Sequence, residues 1–267
     1  MRSKWRARIG AFYFTQKRYL SWIKNWIGFS RTHTITDLPY LVFSHQTPLY
    51  RQLRDVDQWL QDNKVINLKI ALKKINNIII KPSETFSYWY TIGKPTKRKG
   101  YVPGMILQNG GFTSATGGGL CQLSNILHWI TLHSPLTITE RWRHGYDVFP
   151  DSSRTQPFGS GATCSYNYID LQIKNTTIQT FQFKVYLTDT YLVAEIRSTQ
   201  PLNVNYDVYE KEHHFIHEPW GGYSRHNQIW RKVFDSETHK LLTNEFCTEN
   251  HAIMMYEPLL ENKKTTS

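Results

Sequence analysis

The residue types best suited to covalent chemistry lie in the stretch GGGLCQ at positions 117–122. Consecutive glycines permit positive φ and a close backbone approach, and a helix is predicted to begin directly after them. The Cys121 sulfur would lie at the first turn of that helix, where free N–H groups and the positive dipole end stabilise a thiolate. Cys121 is therefore the candidate nucleophile, and Gly118, Gly119 and Gln122 are assigned to the turn and to an oxyanion site.

A purely structural explanation of this stretch stays open. Glycines before a helix often form only a tight turn. A lone cysteine is most often a small buried apolar residue.

A cysteine nucleophile needs a general base, and His144 is the candidate. His128 lies seven residues after Cys121, so two helical turns place it about 10 Å away, which is too far for a direct hydrogen bond. His133 falls at the predicted helix end, where it can serve as a cap. His144 follows a later turn and can fold back towards Cys121.

Polar residues near these positions are predicted to bind a substrate. Arg141 and Arg143 can pair with a substrate carboxylate, and Ser124 is assigned to the same role. For the two arginines, a basic strand that faces solvent is an equal alternative.

Neither a metal nor a cofactor is predicted. His213, His214 and His217 form a cluster without a cysteine or carboxylate at fixed spacing, so they are interpreted as surface strand histidines. The three cysteines are far apart, do not resemble a disulfide framework, and include no CxxC pair.

The composition favours an anionic partner. The chain has 267 residues, a net charge of +11 and a pI of about 9.5. This excess suits nucleic acid, anionic lipid or an anionic wall polymer. Nucleic acid is the weakest of the three, because no helix-turn-helix, zinc-finger or RNP-type signature is present.

Much of the positive charge precedes the first acidic residue, Asp37. Between Tyr19 and Phe29 apolar residues recur at helical spacing, which suits a helix on an anionic leaflet. Packing of that helix on its own domain is the alternative. No signal peptide or membrane span is evident. The prediction is a cytoplasmic protein, with a peripheral position at the inner membrane face as the alternative.

The elements that must position these residues indicate an α+β protein. A helical stripe is predicted within residues 51–80, formed by Leu68, Ala71, Leu72, Ile75 and Ile79. Residues 84–90 are predicted to be extended, and the second helix is predicted from about 120 to 134. Alternating patterns predict strands at 168–174, 181–187, 191–197, 203–210, 227–234 and 240–248.

We therefore predict helices in the N-terminal half, packed on a largely antiparallel sheet that the C-terminal half forms. The predicted organisation is a basic aromatic arm at 1–35, one domain at 36–200 and a strand-rich extension at 201–267.

Four motifs in order resemble the VanW family, which takes its name from an accessory protein of B-type vancomycin-resistance clusters. The resemblance runs from about 64 to 175, and no repeat modules flank it. The motifs are KPSETFSYW at 81–89, GGGLCQLSNIL at 117–127, ERWRH at 140–144 and IDLQIKN at 169–175.

The resemblance implies a role in glycopeptide resistance and action on peptidoglycan stem peptides or precursors. Some family members look like L,D-transpeptidases, in which a cysteine thiolate attacks the stem peptide and D-alanine leaves. Transferred to this chain, Cys121 would be the nucleophile and His144 the base. Trp142 stands where the family usually has a histidine, and Gly161 where it usually has an aspartate. A binding or accessory protein without turnover is the alternative.

Overall fold

The computed structural model describes residues 4–50, 57–108, 110–149 and 156–258. The helices are α1 (Lys4–Lys24), α2 (Gln58–Ile75), α3 (Tyr88–Ile92) and α4 (Cys121–Leu132). The strands are β1 (Tyr40–Pro48), β2 (Ile78–Ile80), β3 (Thr85–Ser87), β4 (Pro103–Gln108), β5 (Gly111–Thr116), β6 (Thr137–Glu140), β7 (Tyr146–Asp147), β8 (Gln172–Lys174), β9 (Phe181–Leu187), β10 (Tyr191–Ser198), β11 (Val204–His217), β12 (Tyr223–Asp235) and β13 (Leu241–Met254).

The main core lies between helices and a four-stranded antiparallel sheet in the order β1-β10-β9-β2. Helix α2 packs against β9, and helix α4 packs against β1 and β10. The apolar stripe of α2 is buried here, including Leu68, Ala71 and Ile75. The strand alternation of β9 places Phe181, Phe183 and Val185 in the same core, as the period-two pattern predicts.

A second sheet, in the order β11-β12-β13-β7, contains the longest strands. Its pairs are antiparallel except β13 with β7, which is parallel. Asp235 accepts hydrogen bonds from the Glu237 and Thr238 amides, which fixes the turn between β12 and β13. Strands β12 and β13 therefore form a hairpin.

The two sheets meet through α4. Trp129 and Leu132 of this helix form a small apolar cluster with Ile229 of β12, and Phe43 of β1 packs against it. The Arg231 guanidinium also donates to the carbonyl of Ser134 at 2.8 Å. Smaller sheets, β3-β8-β6 and β4-β5, complete the fold. The predicted α+β class is confirmed, although β1 and β2 of the main sheet come from the N-terminal half.

Two local predictions were wrong. Ile79 does not continue the stripe of α2, because Asn77 adopts a positive φ of 62° that ends the helical path and starts β2. Residues 84–90 are extended only through β3. Ser87 then caps α3, since its hydroxyl accepts from the Tyr90 amide. The part of the predicted 51–80 helix at 51–56 lies outside the described residues.

Helix α1 occupies most of the predicted arm and is packed on the domain. The Trp22 side chain is 9% exposed, and the Arg18 guanidinium pairs with Glu140 at 2.5 Å. Among the described residues, no helix is long and apolar enough to cross a membrane.

Candidate functional site around Cys121

The glycine turn before α4 is built on a close backbone approach. Gly117 and Gly119 have φ of 81° and 87°, which favours glycine. Gly118 lies against Gly104 in β4, and an added Cβ would overlap the Gly104 carbonyl. The Asn67 side chain from α2 donates to the Gly118 carbonyl at 2.9 Å. The turn is therefore packed from both sides and fixes where α4 begins.

Neighbouring elements hold the first turn of α4 in place. The Gln122 side-chain amide donates to Thr47 Oγ1 and to the Pro48 carbonyl, both at 2.9 Å. The Tyr88 hydroxyl donates to the Leu120 carbonyl at 2.8 Å. Gln122 therefore anchors the helix to β1, and its side-chain donors are used for that purpose.

The backbone amides from Gly118 to Gln122 divide into two groups. The three that were assigned to an oxyanion site are used within the turn, and the Gln122 amide donates to the Gly119 carbonyl at 3.2 Å. Those of Gly118 and Gly119 donate to the carbonyls of Ala115 and Met105, at 2.9 and 2.8 Å. Those of Leu120 and Cys121 donate to no backbone carbonyl in the part of the chain that the structure describes, and the Cys121 amide interacts with its own sulfur. Open donors at this helix N-terminus are thus displaced by two residues from the predicted pair.

The surroundings of the Cys121 thiol determine its protonation state. The residue is partly exposed, but its sulfur lies 3.9 Å from the Cys164 carbonyl oxygen. Burial raises the pKa of the Cys121 thiol, and hydrogen bonds with backbone groups only partly oppose this. The Cys121 side chain is therefore a protonated thiol at neutral pH.

Two residues near the Cys121 site were not selected by the sequence analysis. They are Cys164 and Asp170. Burial, and then the Asp170 carboxylate, raise the pKa of Cys164 well above its ordinary value. Asp170 accepts from Ser87 Oγ at 2.5 Å and from the Trp89 amide at 3.0 Å. Burial raises its pKa to about 6. The motif at 169–175 contained Asp170, but only the fold shows that it ties β8 to β3 and α3.

Ser124 connects α4 to residues 159–162, which form the segment in front of the helix. Its buried hydroxyl donates to the Ala162 carbonyl at 2.7 Å, and Asn125 Oδ1 accepts from the Ala162 amide at 2.9 Å. A Cβ on Gly161 would overlap the Asn125 side chain. This crowding suits glycine, which has no side chain, at position 161.

Arg141 is bound by the protein itself. Its guanidinium donates to the carbonyls of Gly159 and Gly161, to Thr248 Oγ1 and to Asn250 Oδ1. Burial lowers its pKa to about 10. Arg141 therefore pins the 159–161 segment to β13, and this set of acceptors uses the donors that a substrate carboxylate would need.

Trp142 and Arg143 directly follow Arg141 in the chain. The Arg143 guanidinium lies 3.8 Å from the centre of the Phe158 ring. Trp142 is half exposed, and its indole donates to Glu140 Oε1 at 2.9 Å. Glu140 thus contacts both Trp142 and Arg18 of α1.

The histidines do not contact Cys121. Among the hydrogen bonds of the described residues, none joins the Cys121 thiol to an imidazole. Burial, and then Arg143, lower the pKa of half-buried His144. His128 Nδ1 donates to the Ser160 carbonyl at 2.7 Å, and burial lowers its pKa to about 3. Both imidazoles are neutral at pH 7, and His128 has a structural role.

The predicted histidine cluster lies on β11. His213 accepts from the Arg225 guanidinium at 2.8 Å, and the His214 ring stacks on His226 at 5.1 Å. His226 and His251, from the neighbouring strands, were not anticipated. Within the described ranges, no three histidine, cysteine or acidic residues are placed to hold a metal ion.

Comparison with known proteins defines the family of this chain. Residues 63–197, which include the glycine turn, Cys121 and the segment in front of α4, match the family model described as VanW like protein. This chain belongs to the VanW family.

Two known proteins are similar to this chain over different lengths. The chain is 37% identical over 186 residues to the vancomycin B-type resistance protein VanW of Enterococcus faecalis (strain ATCC 700802 / V583), covering 70% of this chain and 68% of that protein. It is 31% identical over 112 residues to the uncharacterized protein YoaR of Bacillus subtilis (strain 168), covering 41% of this chain and 34% of that protein. No solved structure matches the chain.

Proposed function

We propose that this chain is an accessory protein of glycopeptide resistance that binds peptidoglycan stem peptides or their precursors. The observation that carries the proposal is the 37% identity to a vancomycin B-type resistance protein over 70% of this chain. The region in common with the family contains the glycine turn and the first turn of α4. We place the peptide at this end of α4.

The contacts of Cys121 favour binding without turnover. Burial raises the pKa of the thiol, and a thiol rather than a thiolate is a poor nucleophile. Arg141 and Ser124 are engaged with the protein's own carbonyls. A bound peptide would instead meet the open amides of Leu120 and Cys121, which suit a carbonyl or carboxylate oxygen.

Acyl transfer is the second candidate, and the same open amides favour it. The Cys121 sulfur would attack the stem-peptide carbonyl next to the terminal D-alanine, and its proton would pass to His144. The amides of Leu120 and Cys121 would hold the oxyanion. D-alanine would leave as an amine with that proton, and an amine or water would resolve the thioester.

Intact-mass measurement with a tetrapeptide-stem muropeptide separates the two candidates. Cys121→Ala is the test variant and Cys247→Ala the matched control, since Cys247 is a partly exposed cysteine on β13. Catalysis predicts an adduct with the mass of the muropeptide less D-alanine, present in wild type and in the control and absent from Cys121→Ala.

Binding without turnover predicts no adduct in any of the three proteins. Isothermal titration of the same muropeptide should then give similar affinity for wild type and Cys247→Ala. Wild-type protein that neither binds the muropeptide nor forms an adduct would overturn the proposal.

A growth experiment tests the role in resistance. A strain that carries a B-type resistance cluster without its VanW gene should regain vancomycin tolerance when this chain is expressed. The same tolerance with an empty vector, or none with this chain, would contradict that role.

A further inference from the structure

Helix α1 has two apolar faces, and only one of them is covered by the domain. On the inner face the Tyr19 hydroxyl lies 3.1 Å from that of Tyr166, and the Trp22 ring lies 5.8 Å from Tyr90. Arg18 also donates to the Tyr168 carbonyl at 2.9 Å. These contacts hold the helix on the domain at several points along its second half.

The other face forms what we call the outer stripe. Its members recur at spacings of three, four or seven residues, so they share one side of the helix. They are Trp5, Ile9, Phe12, Tyr13, Leu20 and Ile23, which are 72, 63, 67, 59, 67 and 69% exposed. An apolar surface this long and this exposed marks an interaction site.

The charged side chains that α1 itself places beside the outer stripe are all basic. Lys17 and Lys24 follow one edge of it, and Arg8 lies on the other. No acidic residue precedes Asp37 in the sequence. A surface that covers the stripe must therefore also accept a row of cations.

We infer that the outer stripe of α1 lies in the interface of an anionic lipid bilayer. An apolar face with tryptophan and tyrosine, bordered by basic residues, is the form of an in-plane membrane helix. Helix α1 is not long and apolar enough to cross a membrane, which suits a position parallel to the surface. A second copy of the chain fits less well, because pairing two such stripes would bring the basic edges together.

The structure also explains why membrane contact is compatible with folding. The residues of the outer stripe make few contacts with the domain, whereas Trp22 and Arg18 remain bound to it. The helix can therefore enter the interface without leaving its place on the domain. This inference does not depend on the proposed function.

Vesicle flotation with purified full-length protein tests the inference. Vesicles of equal parts phosphatidylglycerol and phosphatidylcholine should carry wild-type protein, and vesicles of phosphatidylcholine alone should carry much less. The double substitution Leu20→Gln/Ile23→Gln should weaken binding roughly tenfold or more, because two exposed apolar side chains lose their burial in the lipid. Its matched control is Ile35→Gln/Ile178→Gln, since these isoleucines are 99% and 94% exposed outside α1.

The basic edge is tested separately. Lys17→Gln/Lys24→Gln should weaken binding to the anionic vesicles by about tenfold, whereas Lys97→Gln/Lys99→Gln, with the same change in net charge, should not. All of these side chains are exposed, so circular dichroism should show unchanged folding.

Three results would overturn the inference. One is that the wild type does not bind the anionic vesicles. Another is binding that Leu20→Gln/Ile23→Gln leaves intact. The third is a wild-type dimer in analytical ultracentrifugation that this variant dissociates while vesicle binding is absent, which would assign the stripe to a second copy.

Discussion

At the scale of single residues, two opposite influences act on Cys121. The sulfur lies at the N-terminus of α4, where the helix dipole favours a thiolate. The protein around it favours the neutral thiol, and burial raises its pKa. Hydrogen bonds of the sulfur with the backbone of Cys164 and of Cys121 itself lower the pKa of the thiol, but they oppose the effect of burial only in part. The effect of burial is therefore the larger one, and the thiol is protonated at neutral pH.

Alkylation kinetics should reveal the neutral thiol. With iodoacetamide at pH 7.5, native Cys121 should react roughly tenfold or more slowly than in urea-unfolded protein, because the thiolate fraction is suppressed. Peptide mass spectrometry gives the rate at each cysteine, and Cys247, whose pKa burial raises to about 11, is an internal reference. A native rate above the unfolded rate would show an activated nucleophile.

Buried His128 should make the protein sensitive to acid. Its pKa is about 3 in the folded state against 6.5 when unfolded. The unfolded state therefore binds the proton first, so stability is complete above pH 6.5 and falls as the pH drops from 6.5 towards 3. Between pH 7.5 and pH 5 this residue should cost about 2 kcal/mol of unfolding free energy.

Urea unfolding of His128→Gln at both pH values measures that contribution. The variant should lose less stability on acidification than wild type by about 2 kcal/mol. The exposed His217→Gln should behave like wild type. Equal acid sensitivity in all three proteins would show that His128 is not the group responsible.

At the scale of elements, the position of the candidate site is set by the glycine turn. The Gly118 and Gly119 amides are hydrogen-bonded to Ala115 and Met105, and the side chain of Asn67 ties the turn to α2. Cys121 is therefore placed by β4, β5 and α2 together rather than by α4 alone.

Gly118→Ala should disrupt this placement. The new Cβ would overlap backbone atoms of Gly104, so the hairpin and the turn must move apart, and we expect a loss of about 2 kcal/mol or more. Gly145→Ala is the control, because nothing lies within 4 Å of its added Cβ. Urea midpoints at neutral pH give the comparison. A Gly118→Ala midpoint equal to that of Gly145→Ala would refute the close packing.

At the scale of the whole molecule, side chains of β12 join the second large sheet to α4, and α4 packs on the first large sheet. Ile229 of β12 is fully buried against Trp129 and Leu132 of α4. Asn227 donates to the Phe158 carbonyl at 2.6 Å, and Arg231 donates to the Ser134 carbonyl, just after α4, at 2.8 Å. These contacts argue for unfolding as one cooperative unit.

Ile229→Ala tests that cooperativity and the predicted division near residue 200. The cavity should cost about 3 kcal/mol, and transitions followed by tryptophan fluorescence and far-ultraviolet circular dichroism should coincide in wild type and variant. Two separate transitions in either protein would instead support an independent extension at 201–267.

The sequence predicted the parts of the fold that depend on local pattern. The stripe of α4 and the alternation of β9 required only neighbouring residues. The roles of Arg141 and Asp170 were not accessible, because their partners lie far away in the chain: Arg141 binds Asn250, and Asp170 binds Ser87. The sequence likewise could not show that the Gly118 and Gly119 amides, which were assigned as oxyanion donors, already donate to carbonyls of β5 and β4.

The contact between Gly104 and Gly118 has a consequence for how such a chain can vary over evolution. A side chain at either position would overlap the backbone of the other. Because glycine has no side chain to reduce, a change at one position cannot be compensated by a smaller residue at its partner. The two positions should therefore remain glycine together in relatives that keep this hairpin and turn, even where the surrounding sequence has diverged.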